Sequence, residues 1–276
     1  MRHHAAGKTH VGLARKTNED SLLLAPELGL YVVADGLGGH IAGEVASRMV
    51  IETMAEYWRR VRHHEAPALQ EDLGPDLPKE ARHLLNSIAM SNTVVHEAQK
   101  RAEYRGMGST VAAVLVEKDT VWLANVGDSP IYLFDQGRLI RLSEEHSVEA
   151  EETNKGMTYG LQIPSPLLKN ILTRALGLKP EVQAYIQPVR PEAGDMLLIC
   201  SDGLTDYVTE KDIQKTLAEE GLDPEQKVAR LIDLGLEGGG GDNISVILLV
   251  ILEEGKWGRF KRRFLTGTRR ILHKQF

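Results

Sequence analysis

A chain of 276 residues with 42% hydrophobic and 26% charged side chains has ample material for a buried core, which excludes wholesale disorder. Its 33 Lys and Arg against 39 Asp and Glu give a net charge of -6, and a single Cys, Cys200, excludes an internal disulfide framework. No apolar run approaches the roughly 18 to 20 residues of a membrane span, and the first ten residues lack the apolar middle of a secretory signal, so a soluble chain in a reducing, cytoplasmic setting is expected.

In chain order, the first notable segment is Gly12-Leu13-Ala14-Arg15-Lys16-Thr17-Asn18-Glu19-Asp20. An Arg close to carboxylates is either an ion-pair partner or a two-pronged clamp for a phosphate. Leu30 to Ala34 is an apolar run that stops at Asp35, followed by Gly36, Gly38 and Gly39, as a buried strand entering a loop would be. After Gly43, the positions Ala46, Met49, Val50, Thr53, Met54, Tyr57 and Trp58 repeat at helical spacing. Pro67, Gly74, Pro75 and Pro78 mark a loop, and a second helix is expected from about Lys79 to Glu103.

From Ser109 the pattern changes. Thr110 to Val116, Thr120 to Val126, Ile131 to Phe134 and Leu139 to Leu142 are β-prone, and the turns between them suit an antiparallel meander. Glu149 to Lys169 is polar with Gly156, Gly160, Pro164 and Pro166, and reads as an irregular surface insert, about 147–170 as a flap-like unit. Met196 to Cys200 and Ile244 to Leu252 are two further buried strands. The fold class expected is α+β, a single catalytic-size domain over 1–254.

The last segment differs. Gly255 to Phe276 carries eight Lys and Arg and no acid, so the first 254 residues hold 25 basic against 39 acidic groups, or -14. Trp257, Phe260, Phe264, Leu265, Ile271, Leu272 and Phe276 interleave with the basic residues. As a helix this tail would be amphipathic, suited to an acidic partner, an anionic membrane surface with peripheral attachment, nucleic acid, or the acidic body of the same chain.

Four segments set an Asp at a strand end or in a glycine loop: Ala34-Asp35-Gly36, Val126-Gly127-Asp128-Ser129, Ser201-Asp202-Gly203 and Gly241-Asp242-Asn243. Any one of them reads most simply as a turn. Brought together, four such acids would repel unless cations neutralised them, and oxygen donors of this kind suit Mg²⁺ or Mn²⁺ rather than zinc. Cys200 has Asp206, not Arg, six positions on, which disfavours a cysteine phosphatase, and Gly36-Leu37-Gly38-Gly39-His40 lacks the Lys of a nucleotide phosphate loop.

In order, the segments Arg15 to Asp20, Val33 to His40, Gly108-Ser109-Thr110, Asn125 to Ser129, Leu172 to Gly177, Ser201 to Asp206 and Gly241 to Ser245 resemble a bacterial metal-dependent Ser/Thr protein phosphatase of the PPM, or type 2C, family, over about residues 8 to 252. The resemblance implies a sandwich of two antiparallel β-sheets flanked by α-helices. It implies two Mn²⁺ or Mg²⁺ ions bridged by Asp35, with the Gly36 carbonyl, Asp202 and Asp242 as direct ligands and Glu19 acting through water. Asp128 with Asp202 would hold a weaker third ion, and Asp20 and Asn243 would support the cluster. Arg15 matches the phosphate-binding Arg. His40 matches a candidate proton donor to the leaving group, metal-bound water being the other contender. Attack would be in line by a metal-bridging hydroxide on phosphoserine or phosphothreonine, opposing a protein kinase.

Two departures stand out: Leu37 where Met is usual, and Pro130 where bacterial members commonly carry Arg, beside the third-ion acid. A monomer is expected. The rival from another class is a noncatalytic regulatory or phosphoprotein-binding relative with the same fold.

Overall fold

The computed structural model describes residues 1–38, 41–155 and 171–253. Its strands are β1 His3–His10, β2 Asp20–Ala25, β3 Leu30–Leu37, β4 Gly108–Ser109, β5 Val111–Glu117, β6 Thr120–Val126, β7 Ile131–Asp135, β8 Arg138–Arg141, β9 Tyr185–Val189, β10 Met196–Cys200 and β11 Ile244–Ile251. The helices are α1 Ile41–Arg62, α2 Lys79–Ala98, α3 Val148–Lys155, α4 Asp202–Thr205, α5 Glu210–Ala218 and α6 Pro224–Glu237.

The strands form two antiparallel sheets, ordered β1-β11-β10-β7-β8 and β2-β3-β5-β6-β9, with β4 added beside β3. Each central strand is apolar on both faces, and the period of two divides its side chains between two cores. In β3, Leu30, Val32 and Ala34 meet Val50, Met54 and Trp58 of α1, while Tyr31 and Val33 meet Leu133, Leu197 and Ile247 of the facing sheet. In β11 the division repeats: Ile244, Val246 and Leu248 pack with Ile213 of α5 and Leu231 of α6, and Ile247 and Leu249 point between the sheets. The result is four layers, helix, sheet, sheet and helix, as expected.

Local chemistry fixes the outer helices. Asp223 caps α6 with a reciprocal capping box to Gln226, and Pro224 occupies the first turn, where its missing N–H costs nothing. Lys227 is buried in α6 and donates to the carbonyls of Thr216, Leu217 and Glu219, so one ammonium closes the end of α5.

Several sequence-based expectations change in detail. The apolar run from Leu30 does not stop at Asp35, because β4 pairs with Gly36 and Leu37 and extends the strand past the acid. The stretch from Thr110 to Leu142 is two hairpins in opposite sheets rather than one meander. Gly127, at φ +103°, turns the chain between β6 and β7, a conformation few side chains tolerate. The second helix ends at Ala98, a short 3₁₀ turn over Ala102–Tyr104 following it. The insert begins as α3, with its neck closed by a bridge between Ser147 and Leu172, and the rest of the expected flap lies outside the described residues. The basic tail 255–276 also lies outside them, and among the described residues no helix is long and apolar enough to cross a membrane.

Candidate metal centre

The antiparallel register delivers the acids. Asp20 opens β2 directly opposite Asp35 in β3, so the two stand on adjacent strands. Asp202 follows the end of β10, Asp242 precedes β11, and Asp128 follows β6 with Gly127 between it and Val126. Hydrogen bonds lock these strand ends together. Asp35 N–H donates to Thr110 Oγ1 at 3.0 Å, and Thr110 N–H returns to the Asp35 carbonyl at 2.8 Å. Ser201 Oγ donates to Asp20 Oδ2 at 2.8 Å while accepting from Ser245 N–H at 3.0 Å, tying β2, β10 and β11 at one point.

Asn243 is the staple of the N-terminal segment. Its Nδ2 donates to the carbonyls of Val11 (2.9 Å) and Thr17 (3.0 Å), and its Oδ1 accepts from Glu19 N–H at 2.7 Å. Glu19 is thereby carried over α1. A Cβ on Gly43 would lie 1.9 Å from Glu19 Oε2 and 2.9 Å from the Gly36 carbonyl oxygen, so this helical position has to be glycine. We expect Gly43→Ala, a change that would ordinarily stabilise a helix by about 1 kcal/mol, to push Glu19 aside and weaken Mn²⁺ binding severalfold. Calorimetric titration with Mn²⁺ checks this, and unchanged affinity would show that Glu19 takes no part.

Arg15 Nη2 donates to Asp242 Oδ2 at 2.8 Å. Burial works against the Arg15 charge, but Asp242, Glu19 and Asp35 outweigh it and raise its pKa further. The acids are shifted the other way from an ordinary carboxylate. Burial, then Asp20, Asp202 and Asp128, hold the Asp35 pKa well above its usual range, and its carboxyl hydrogen-bonds that of Asp202. Asp202 is raised likewise by burial and by Asp128, Asp206, Asp242 and Asp20. Burial pushes Asp20 to about 6 against the pull of two serine hydroxyls, and Asp128 also to about 6. Cys200 is fully buried and its thiol pKa is raised by that burial, so it is core rather than nucleophile.

Among the described residues, no three His, Cys, Asp or Glu side chains stand in a ready-made coordination shell. The acids instead crowd one another, Asp202 and Asp20 both raising the Asp35 pKa, while Asp242 forms an ion pair with Arg15. The donor set still fits divalent cations. It is entirely oxygen, its carboxylates crowd one another in a buried site, and Asp20 Oδ1 and Asp202 Oδ1 are buried with no hydrogen-bond partner. A cleft of about 210 Å³ opens beside Asp128 and Asp202, walled by Tyr132, Arg141, Glu145 and Asp206.

The structure thus gathers Glu19, Asp20, Asp35, Gly36, Asp128, Asp202, Asp242, Asn243 and Arg15 at one end of the sandwich. His40 lies outside the described residues. Sequence reasoning placed Ser201, Ser245 and Thr110 within the segments that carry the resemblance but gave them no role, and it used Gly43 only to mark where a helix begins.

The family model described as protein phosphatase 2C matches residues 7–233. The chain is 34% identical over 251 residues to the serine/threonine phosphatase stp of Listeria welshimeri, covering 89% of this chain and 95% of that protein. The structure of the S. agalactiae serine/threonine phosphatase superposes with a TM-score of 0.77 at 30% identity, over 91% of this chain and all of that one. The catalytic domain of the serine/threonine protein phosphatase PstP, solved in complex with two manganese ions, superposes with a TM-score of 0.72 at 29% identity, over 91% of this chain and 99% of that one.

Proposed function

Because this chain belongs to the protein phosphatase 2C, or PPM, family, we propose that it is a metal-dependent serine/threonine phosphatase that removes phosphate from phosphoserine and phosphothreonine in proteins, reversing the action of a protein kinase. The observation that carries this reading is the crowding of Asp35 by Asp20, its partner across the β2–β3 ladder, and by Asp202, with Asp20 Oδ1 and Asp202 Oδ1 buried and unpartnered. Buried like charges are not assembled by chance, since each disfavours the ionised form of the others.

In this reading Asp35, the Gly36 carbonyl, Asp202 and Asp242 would hold two Mn²⁺ or Mg²⁺ ions, Glu19 would act through water, and Asp128 with Asp202 would serve a weaker third. When bound, the ions supply positive charge for the transferring phosphoryl group and a water acidic enough to ionise near neutrality. The chain's own residues do the rest. Asp20, held by Ser201, keeps its neighbour Asp35 in place across the β2–β3 ladder. Asn243 fixes the loop that bears Arg15. Arg15, paired with Asp242 and about half exposed, carries a guanidinium that could clamp a phosphate with two parallel N–H donors. A poor alkoxide leaving group needs a proton, and His40 is the candidate donor that the family resemblance offers.

The test is release of phosphate from a phosphothreonine peptide with Mn²⁺ and with EDTA. No release in either condition would leave a phosphoprotein-binding role for the fold. We further expect truncation after Glu254 to leave Mn²⁺-dependent hydrolysis of an aryl phosphate within about twofold of the full chain. Among the described residues every paired strand and packed helix of the sandwich lies before that point, and a larger effect lies outside the ordinary scatter of surface changes. Turnover lost in the truncated chain would make residues 255–276 part of the catalytic unit.

A further inference from the structure

The segment that carries Asp128 is held by a buried histidine to which the proposed ligand set gives no role. His146 is fully buried. It meets Gly127 twice: Gly127 N–H donates to the ring Nδ1 at 3.1 Å, and His146 N–H donates to the Gly127 carbonyl at 3.1 Å. A Cβ at Gly127 would lie 2.7 Å from Thr110 Cγ2, so Gly127 is also pressed from its other side. Beyond it, Arg141 Nη2 donates to the Asp128 carbonyl at 3.2 Å, and Arg141 Nη1 pairs with Glu145 at 2.6 Å.

The ring's tautomer follows from its neighbours. Arg174 Nη1 lies 3.1 Å from Nε2, so two donors face a ring that, when neutral, has a single lone pair. The Gly127 amide is buried, and leaving it unmet forfeits its whole desolvation cost. Arg174 is partly exposed and has Glu144 Oε1 at 3.9 Å, so it has other partners and solvent. The lone pair therefore belongs on Nδ1, facing Gly127, and the proton on Nε2.

We infer that His146 is a positioning residue for Asp128: its Nδ1 lone pair fixes the Gly127–Asp128 peptide and, through it, the direction in which the Asp128 carboxylate presents itself to the weaker cation. This rests on the reading that Asp128 serves such an ion. The same histidine closes the neck of the insert, since Thr173 N–H donates to its carbonyl at 2.9 Å and the next residue, Ser147, bridges to Leu172. Asp128 and the neck are therefore one hydrogen-bonded unit.

The test titrates Mn²⁺ into the full 276-residue chain, following free ion by electron paramagnetic resonance, for wild type, Asp128→Asn, His146→Phe and His146→Asn, with melting temperatures alongside. Asp128→Asn identifies the weakest site by removing it. His146→Phe should weaken that same site at least tenfold and leave the tighter sites within twofold. His146→Asn, which returns an acceptor oxygen near the Nδ1 position, should restore it to within threefold of wild type.

Wild-type affinity in His146→Phe overturns the inference, as does a His146→Asn protein as weak as His146→Phe at the same melting temperature. A weakest site untouched by Asp128→Asn defeats the reading of Asp128 itself, and the inference falls with it. Folding of the variants is bypassed by a measurement on the ¹⁵N-labelled wild type without metal. A scalar coupling across the hydrogen bond between Gly127 N and His146 Nδ1 is expected, and a ring protonated at Nδ1 overturns the assignment.

Discussion

Asp35→Asn is expected to lower Mn²⁺-dependent release of phosphate from a phosphothreonine peptide on the order of a thousandfold, the scale at which loss of a single preorganised electrostatic element acts in a buried site. Asp35 is the acid whose neighbours are themselves acids, Asp20 across the ladder and Asp202 by a direct carboxyl contact, so it stands where bridging charge is needed most. The same change has the opposite effect on the fold. In EDTA the variant melts higher than wild type, because an amide relieves a buried carboxyl of its like-charged neighbours. In Mn²⁺ the order reverses, because only the wild type gains from the ion. Thermal melts and phosphate release on one preparation check both halves. Equal turnover in wild type and variant would remove Asp35 from the mechanism.

The rise in melting temperature caused by Mn²⁺ is expected to grow steeply with pH. Asp20 and Asp128 have folded-state pKa values of about 6, above their unfolded value of 3.8. Between those values the folded state holds protons that the unfolded chain has lost, so without metal the stability from these groups is complete at low pH and lost as pH rises through 6. For Asp20 alone this is on the order of 3 kcal/mol. Burial holds Asp35 and Asp202 in the same sense. A cation needs the deprotonated carboxylates, so its binding displaces those protons and strengthens with pH.

His146, whose pKa burial lowers to about 4, contributes in the opposite direction, with stability lost as pH falls through its unfolded value. That contribution is common to both conditions, so the difference between Mn²⁺ and EDTA isolates the acids. At a thousandfold excess over the dissociation constant, about 4 kcal/mol of linkage gives a shift of about 10 °C at pH 7.5 for a domain of this size. At pH 5 the shift falls to a few degrees. A shift independent of pH would show that the carboxylates do not hold the ion.

The central strands of both sheets were legible in the sequence because burial on two faces makes them continuous apolar runs: Leu30 to Ala34, Met196 to Cys200 and Ile244 to Leu252 needed no further cue. β1 was not, since His3, His4, Gly7 and Lys8 show no period, and it is a strand because β11 offers eight residues of pairing. β2 and β9 were missed for the same reason, each being an edge strand held by one neighbour. The candidate acids were visible as Asp beside Gly. Apart from Asn243, which the resemblance had marked as a support, their supports were not, because what Ser201, Thr110 and Gly43 do depends on which strands end side by side, and that is a property of the sheet order. The division of Thr110 to Leu142 between two sheets was hidden too, in the single backbone angle at Gly127.

β11 runs from the acids to the far pole of the sandwich. Its first residue follows Asp242 and Asn243, while its last pairs with His3, whose chain begins where the amino group of Met1 donates to the Lys118 carbonyl at the β5–β6 turn. Seven steps of about 3.3 Å separate the two ends, roughly 23 Å. Any anchor, fusion or surface joined after Leu252 therefore takes hold of the molecule from behind. Immobilised by that end on a bead or a membrane, the protein would face its phosphorylated targets outward, and a tag placed there should cost no access to the acids.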